Sequence, residues 1–284
     1  MKRCLVCDSV YDAPEWVCPA CGARPTGDPF LRFSGADGSE EFPRSAFESL
    51  AGAEDSSFWF RARNAILLTA IRRHFPNLSS FFELGCGNGF VLRAIREAFP
   101  KAELVGGELA IEGLEVARAR VPDASLIQVD GRQLPYRNEF DVVGTFDVLE
   151  HTDDGPVLAE LAAAVKPGGG LVLTVPQHPW LWSAADEFGQ HKRRYTRKGL
   201  IAKLQASGFE VTQVTSFMTL LLPLMALSRF RQRDLESFDP EGELRLPEPV
   251  DRALERIVRT ERHAVRLGIS LPAGGSLLAV ARRS

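Results

Sequence analysis

FFELGCGNGF, residues 81–90, carries more structural information than any other ten residues of this chain. It opens as an apolar run with one acid, Glu83, then passes through Gly85, Gly87 and Gly89 into a helical pattern. A buried strand feeding a glycine turn and a helix is how α/β sheets hold nucleotide-like ligands. Glycines admit backbone amides close to the ligand, and the helix N-terminus favours polar or negative groups. The spacing narrows the ligand. Dinucleotide turns space their glycines G-x-G-x-x-G, whereas this one reads G-x-G-x-G with a carboxylate two residues before the first glycine. That carboxylate would repel a pyrophosphate but hold a ligand carrying a cationic α-amino group.

Strand and helix patterns alternate on both sides of the turn. Ser56–Phe75 reads as an amphipathic helix capped by Ser56 or Ser57. Strand one is Phe81–Leu84, followed by a helix over Phe90–Phe99. Strand two, Ala102–Gly106, ends at Gly107-Glu108, and a helix covers Ile111–Arg120. Strand three, Ser125–Val129, ends in Asp130; strand four, Phe140–Phe146, ends in Asp147. A helix over Asp154–Val165 leads through Lys166-Pro167-Gly168-Gly169-Gly170 into strand five, Leu171–Val175. Thr196–Ser207 is a helix closed by Gly208, Phe209–Thr215 is strand six, and Ser276–Arg282 is the last strand. This alternation predicts an α/β, doubly wound sheet. Acids stand at the carboxyl ends of successive strands, the edge where such sheets bind ligands. Glu108, 19 residues beyond Gly89, is placed to accept ribose hydroxyls, and Asp130 to accept an adenine amino group.

Together these motifs resemble the class I S-adenosylmethionine (SAM)-dependent methyltransferase superfamily, in particular its type 11 and type 12 small-molecule members. The resemblance covers roughly residues 56–284. It implies a Rossmann-like seven-stranded sheet whose last strand inserts antiparallel between strands five and six. It implies SAM as methyl donor, bound by Glu83, Gly85, Cys86, Gly87, Asn88, Gly89, Glu108, Leu109, Asp130, Gly131, Phe146, Asp147 and His151. An NAD-dependent reductase is the nearest rival enzyme. This chain lacks that enzyme's third-glycine spacing, and the Y-x-x-x-K pattern is absent, since Tyr195 is followed four residues later by Gly199.

Methyl transfer from a sulfonium needs orientation more than acid–base help, and a base only where the nucleophile must lose a proton. Glu150, His178 and His191 are the candidates for that base, and Trp59, Arg63, Trp180, Arg194 and Tyr195 for substrate contact. Trp180–Tyr195 resembles the substrate-side lid of small-molecule methyltransferases. Asp147-x-x-Glu150-His151 resembles a divalent-metal cluster of some ubiquinone-pathway and small-RNA methyltransferases, although L-E-H after strand four is also common without a metal. Gln190–Lys198 packs five basic residues before and into a helix, against its dipole, which hints at an anionic substrate group.

Four of the five cysteines form Cys4-x2-Cys7-x10-Cys18-x2-Cys21, a spacing for one tetrahedral, structural zinc. Cys86, inside the glycine turn, reads as a small residue filling tight space. The expected organisation is a zinc knuckle over residues 1–25, a linker over 26–55 and the catalytic domain over 56–284, with a helical insertion at 218–268. Met218–Phe230 is leucine-rich and broken at Pro223; Val250–Leu267 is an amphipathic helix. The insertion is expected to cover the core, to cap a lipid-like or aromatic acceptor or to rest on a membrane surface.

At 284 residues, 45% apolar and 25% charged, the composition is that of an ordinary globular protein. Net charge is −3 and the pI about 6.0, which argues against a protein devoted to gripping nucleic acid. Met1-Lys2-Arg3 runs straight into the cysteine pair, and the uncharged run Val211–Ser228 is interrupted by polar residues. Neither a signal peptide nor a membrane span is expected, and a cytoplasmic location is. Three functions compete: a small-molecule methyltransferase, an rRNA base methyltransferase with a zinc knuckle, and a non-catalytic partner-binding protein. The zinc module is also a candidate partner surface. FDVLEH stands after strand four in place of the amino-methylating N/D-P-P-Y signature, which disfavours adenine-N6 chemistry.

Overall fold

The computed structural model describes residues 1–33, 47, 51–231 and 246–284. Two short strands, β1 (Lys2–Arg3) and β2 (Val10–Tyr11), pair antiparallel around the first cysteine pair. Leu31–Arg32 forms β3, flanked by the buried Phe30 and Phe33. The segment read as a linker therefore begins by joining the main sheet.

α1 (Phe58–His74) starts at Ser57, whose hydroxyl accepts the Trp59 amide, and ends in Arg72, Arg73 and His74, charges suited to a helix C-terminus. β4 (Ser80–Leu84) is buried at every residue, as a strand covered on both faces must be. There follow α2 (Phe90–Ala98), β5 (Glu103–Glu108), α3 (Ile111–Arg120), β6 (Ser125–Gln128), β7 (Phe140–Phe146) and α4 (Asp154–Ala164). The chain continues through β8 (Val165–Pro176), α5 (Ala184–Phe188), α6 (Arg197–Ala206), β9 (Phe209–Phe217), α7 (Leu222–Arg231), α8 (Glu248–Leu267) and β10 (Ser276–Arg283).

Among the described residues the main sheet has eight strands, in the order β3-β6-β5-β4-β7-β8-β10-β9. β3, β6, β5, β4, β7 and β8 run parallel, and β10 lies antiparallel between β8 and β9. All seven expected strands are present in the expected order, and β3 adds an eighth at the edge. Strand order reverses between β4 and β7, so the ligand crevice lies outside their carboxyl ends.

Alternation along each strand sorts side chains to two cores. Phe82, Val105, Val143 and Leu173 meet α4 and α6 on one face; Phe81, Leu104, Val142 and Val172 meet α1, α2 and α8 on the other. The connection from β6 to β7, residues 129–139, passes β5 and β4 to reach the far side of β4 and contains no helix, unlike the crossovers from β4 to β5, β5 to β6 and β7 to β8.

Two boundaries depart from the sequence pattern. β8 begins at Val165, because both Val165 and Gly170 pair with β7 across a register shift, and the expected turn is a bulged part of the strand. Pro223 does not break the leucine-rich segment. It sits in the first turn of α7, where an amide has no helical partner to lose, and so begins the helix. α8 lies along α1, burying Val258 and Val265, while Arg61 of α1 bonds Glu255 at 2.7 Å and also Asp251. Among the described residues, no helix is long and apolar enough to cross a membrane.

Candidate functional site

Glu83, Glu108, Asp130 and Asp147 line one edge of the sheet, each at or near the end of β4, β5, β6 or β7. The glycine turn is tied to that edge: the amides of Gly85 and Cys86 both donate to the Gly107 carbonyl, at 2.8 and 3.1 Å. Gly85 has φ +71°, and a Cβ there would lie 2.3 Å from Val148 Cγ2. Gly87, with φ +47°, has nothing within 4 Å of its Cβ position, so its open side is where a ligand can approach the backbone. Its amide donates to Glu108 Oε2 at 2.9 Å, while Glu108 Oε1 accepts the amides of Leu109 at 2.7 Å and Ala110 at 3.1 Å. Burial raises the Glu108 carboxyl, and these three amides work against that rise.

Glu83 is buried, and its Oε2 has no hydrogen-bond partner. Burial pushes its carboxyl well above the ordinary value, with the Arg63 charge pulling it back. An orphaned buried carboxyl at the strand end fits a cationic α-amino group, and the open Gly87 beside Glu108 fits a ribose, as SAM requires. Asp130, expected to meet adenine, is itself engaged. Burial would raise its carboxyl, but Arg132 outweighs this with Nε 3.0 Å from both oxygens and holds it below its usual range. Asn88 braces the turn from outside, donating to the Phe47 carbonyl at 2.9 Å. Cys86 is buried with its thiol pushed well up by burial, an inert filler of tight space. Gly131 packs its backbone on Leu84, and Phe146 is buried below the edge.

Three non-glycine residues just beyond strands that end at this edge have left-handed backbones: Asp147 after β7 (φ +57°), His178 after β8 (φ +64°) and Met218 after β9 (φ +58°). Such strain costs about 1–3 kcal/mol per residue and collects at functional sites. Asp147 Oδ2 accepts from Arg63 Nη1 at 2.5 Å, and the Arg63 guanidinium stands 4.7 Å from the Trp59 ring centre. Arg63 and Trp59, expected at the substrate, thus form one wall together with Asp147.

Asp186, fully buried, organises a second cluster, on the segment that packs against the loop after β7. It accepts from Ser183 N at 2.9 Å, Arg194 Nε at 2.7 Å and the His191 ring at Nδ1, 2.9 Å. Burial would raise its carboxyl, yet His191 and Arg194 hold it down at about 2. The His191 ring meets His151 edge to face, centroids 4.8 Å apart. Burial and His191 lower His151 to about 4, so its imidazole is neutral at pH 7. Glu150 is buried with Oε2 unpartnered, and burial together with Asp147 keeps its carboxyl well raised. Ligand atoms of Glu150, His151 and His191 lie within 4.8 Å of one another, near enough to share a divalent cation. Asp147, first member of the D-x-x-E-H pattern, is instead committed to Arg63. Burial and Arg194 lower His178, whose Nε2 is buried without a partner, and Trp180 beside it is exposed.

Two expectations change here. Tyr195 is not on the substrate side: it is buried, its hydroxyl donating to the Leu149 carbonyl at 3.1 Å and to Asp154 Oδ2 at 2.8 Å, which braces the loop after β7. Nor does the basic run wait for an anion. Three of its five basic residues are engaged: Arg193 pairs with Asp154 at 3.0 Å, Arg194 with Asp186, and Arg197 bonds the carbonyls of Val214 and Leu271; Lys203, beyond the run, also pairs with Asp154 at 2.7 Å. Asp154 and Asp186 were missed in the sequence. The one local signal was that Asp186 precedes His191 by five residues and Arg194 by eight.

The four N-terminal cysteines converge, Cys4 Sγ 3.6 Å from Cys21 and Cys7 Sγ 3.7 Å from Cys18. Tetrahedral zinc with bonds of about 2.3 Å would set its sulfurs about 3.8 Å apart, so this donor set fits the ion. The Ser9 hydroxyl is 3.1 Å from Cys18 and brings that thiol down to about 6, toward the thiolate a metal takes.

A family model described as a methyltransferase domain matches residues 54–214, more than half of the chain. A dTDP-3-amino-3,6-dideoxy-α-D-glucopyranose N,N-dimethyltransferase of Streptomyces fradiae is 33% identical over 121 residues, 41% of this chain and 45% of that one. A ubiquinone biosynthesis O-methyltransferase of Idiomarina loihiensis is 28% identical over 152 residues, 48% of this chain and 59% of that one. The chain spans about half the length of the curated relatives it matches. Among solved structures, Haemonchus contortus phosphoethanolamine N-methyltransferase 2 with bound SAM is similar over 86% of this chain and 58% of that one, with a TM-score of 0.56 and 17% identity. That likeness shows the fold. On the family match, the strand order and the strand-end acids together, the chain belongs to the class I SAM-dependent methyltransferase family.

Proposed function

We propose that the protein transfers a methyl group from SAM to a nitrogen or oxygen of a small biosynthetic acceptor. The observation that carries the reading is the Asp186–His191 pair packed against His151 in the loop after β7, at the sheet edge where Glu83, the glycine turn and Glu108 also stand. SAM, when bound, supplies a sulfonium methyl for in-line displacement. Glu108 and the open backbone at Gly87 would orient its nucleoside, and Glu83 would favour its α-amino group. Asp186 holds His191 Nδ1, which leaves Nε2 to accept a proton from an amine or hydroxyl as it attacks. The Arg63–Trp59 wall and the 180–182 tryptophans screen the site from water. The amino-sugar N,N-dimethyltransferase, the ubiquinone biosynthesis O-methyltransferase and the ubiquinone/menaquinone biosynthesis C-methyltransferase among the relatives support a small-molecule acceptor. The four cysteines hold a structural zinc in this reading, because a full thiolate shell leaves no open position for chemistry.

Calorimetric titration with S-adenosylhomocysteine (SAH) tests the donor half. Wild type binds, and Glu108→Ala weakens binding on the order of a hundredfold through loss of the ribose acceptor and of the turn's anchor. Equal affinities would sink the donor assignment. For the acceptor half, methyl label from SAM is followed into lipid, polar and RNA fractions of a cell extract. Label in the RNA fraction would overturn a small-molecule acceptor. His191→Ala lowers kcat by about 10²–10⁴ with SAH affinity unchanged.

A further inference from the structure

The crossover from β6 to β7 is where the fold lacks a helix, and it is where the cysteine module sits. The Arg3 amide donates to the Pro135 carbonyl and the Arg137 amide to the Met1 carbonyl, both at 2.9 Å, so β1 forms a strand-like bridge to residues 135–137. Glu160 on α4 gathers both sides of that bridge. Its carboxylate accepts from Arg3 Nη1 at 3.0 Å, Arg137 at 3.0 and 3.1 Å and the Leu134 amide at 2.9 Å.

Trp16, between the two cysteine pairs, continues the contact into the core. Its ring lies 4.8 Å from Phe33 and 5.5 Å from Tyr136; Tyr136 in turn meets Phe140 at 4.8 Å and Phe82 at 5.6 Å. Phe82 is the β4 residue before Glu83, and its ring packs on Gly107, whose carbonyl anchors the amides of Gly85 and Cys86. Beside Phe33, whose amide bonds the Gln128 carbonyl, the Gln128 side chain holds the Leu109 carbonyl at 2.8 Å. Two continuous paths therefore run from the cysteine module to the donor edge, one ending at the glycine turn and one beside Glu108.

We propose that the cysteine module takes the place of the missing crossover helix and sets the geometry of the nucleoside half of the donor pocket, with Arg3, Trp16 and Glu160 as positioning residues for donor binding. A helix in a parallel crossover normally buries the sheet face and fixes the loop at the strand end. Here an apolar cover too small to fold by burial alone does that work, and a metal would supply its rigidity. The proposal rests on the donor reading above.

The experiment is calorimetric titration of the full chain with SAH and with 5′-methylthioadenosine, which lacks the amino-acid end, well below the unfolding midpoint of every variant. Zinc per chain is measured on each sample. Arg3→Ala and Trp16→Leu are expected to raise Kd for both ligands by the same factor, on the order of tenfold as for ordinary coupling between linked sites, at unchanged stoichiometry. Arg3→Lys restores part of the loss. Stripping zinc with a chelator gives at least the same rise. Unchanged Kd in Arg3→Ala and Trp16→Leu overturns the proposal, and so does a fall in stoichiometry at constant Kd, which marks mere unfolding. Metal-free wild type with full affinity removes zinc as the source of rigidity and overturns it too. Wild type that fails to bind SAH at all overturns it together with the donor reading, a result the other outcomes do not produce.

Discussion

His151 is lowered from 6.5 to about 4 by burial and by His191, so the folded protein keeps a neutral imidazole that the unfolded chain would protonate. The folded value lies below the unfolded one, so the associated stability is complete above pH 6.5 and drains away as pH falls toward 4. Asp186 is depressed from 3.8 to about 2, and its contribution is present above 3.8 and lost only as pH falls through about 2. The thermal midpoint should therefore decline first between pH 6.5 and 4, and His151→Gln should flatten that limb while leaving the more acidic one. An equal slope in the variant would count against a buried neutral imidazole. At this scale legibility was uneven. Glu83 and Glu108 stood out because each follows directly from a strand pattern and a glycine count. Asp186 did not, because an acid in a loop looks like a solvated cap until packing buries it with His191 and Arg194 around it.

At the scale of elements, the glycine turn shows how one short motif serves different needs. Gly87 is open toward the ligand, whereas Gly85 is required by its left-handed backbone and by Val148 pressed against it. Gly85→Ala should destabilise the fold by about 1–3 kcal/mol from backbone strain and overpacking, read as a lower denaturant midpoint at unchanged m-value. A midpoint equal to wild type would mean that the loop after β7 yields easily to the turn. Helices and strands were otherwise legible within a few residues, because apolar periodicity and caps such as Ser57 and Thr196 are local signals. Pro223 was misread for a physical reason: proline stops a helix it would interrupt but is at home in the first turn. β3 was not legible, since two residues in a loop-like composition become a strand only when β6 offers its edge.

Over the whole molecule, the last strand is the least replaceable. β10 is buried from Ser276 to Ala281 and pairs with β8 on one side and β9 on the other, so β9 reaches the sheet only through it. A chain ending at Gly275 should therefore show no cooperative unfolding transition by circular dichroism, and a retained transition would mean that β9 can pair with β8 directly. The cysteine module belongs to this scale as well. Its spacing predicted a zinc knuckle and said nothing of where it packs, and Leu5 and Trp16 pack on the same core as Phe33 and Tyr136. What the sequence by itself determined was the glycine turn and the row of acids at the strand ends, because these are set by residues adjacent in the chain. Only the tertiary structure decided which charges are free for chemistry and which are spent on the fold. Arg194 and Tyr195 look like substrate contacts, and Arg193 like part of an anion-seeking run, until Asp154 and Asp186 are brought against them, and a partner set by long-range packing leaves no mark in the spacing of residues.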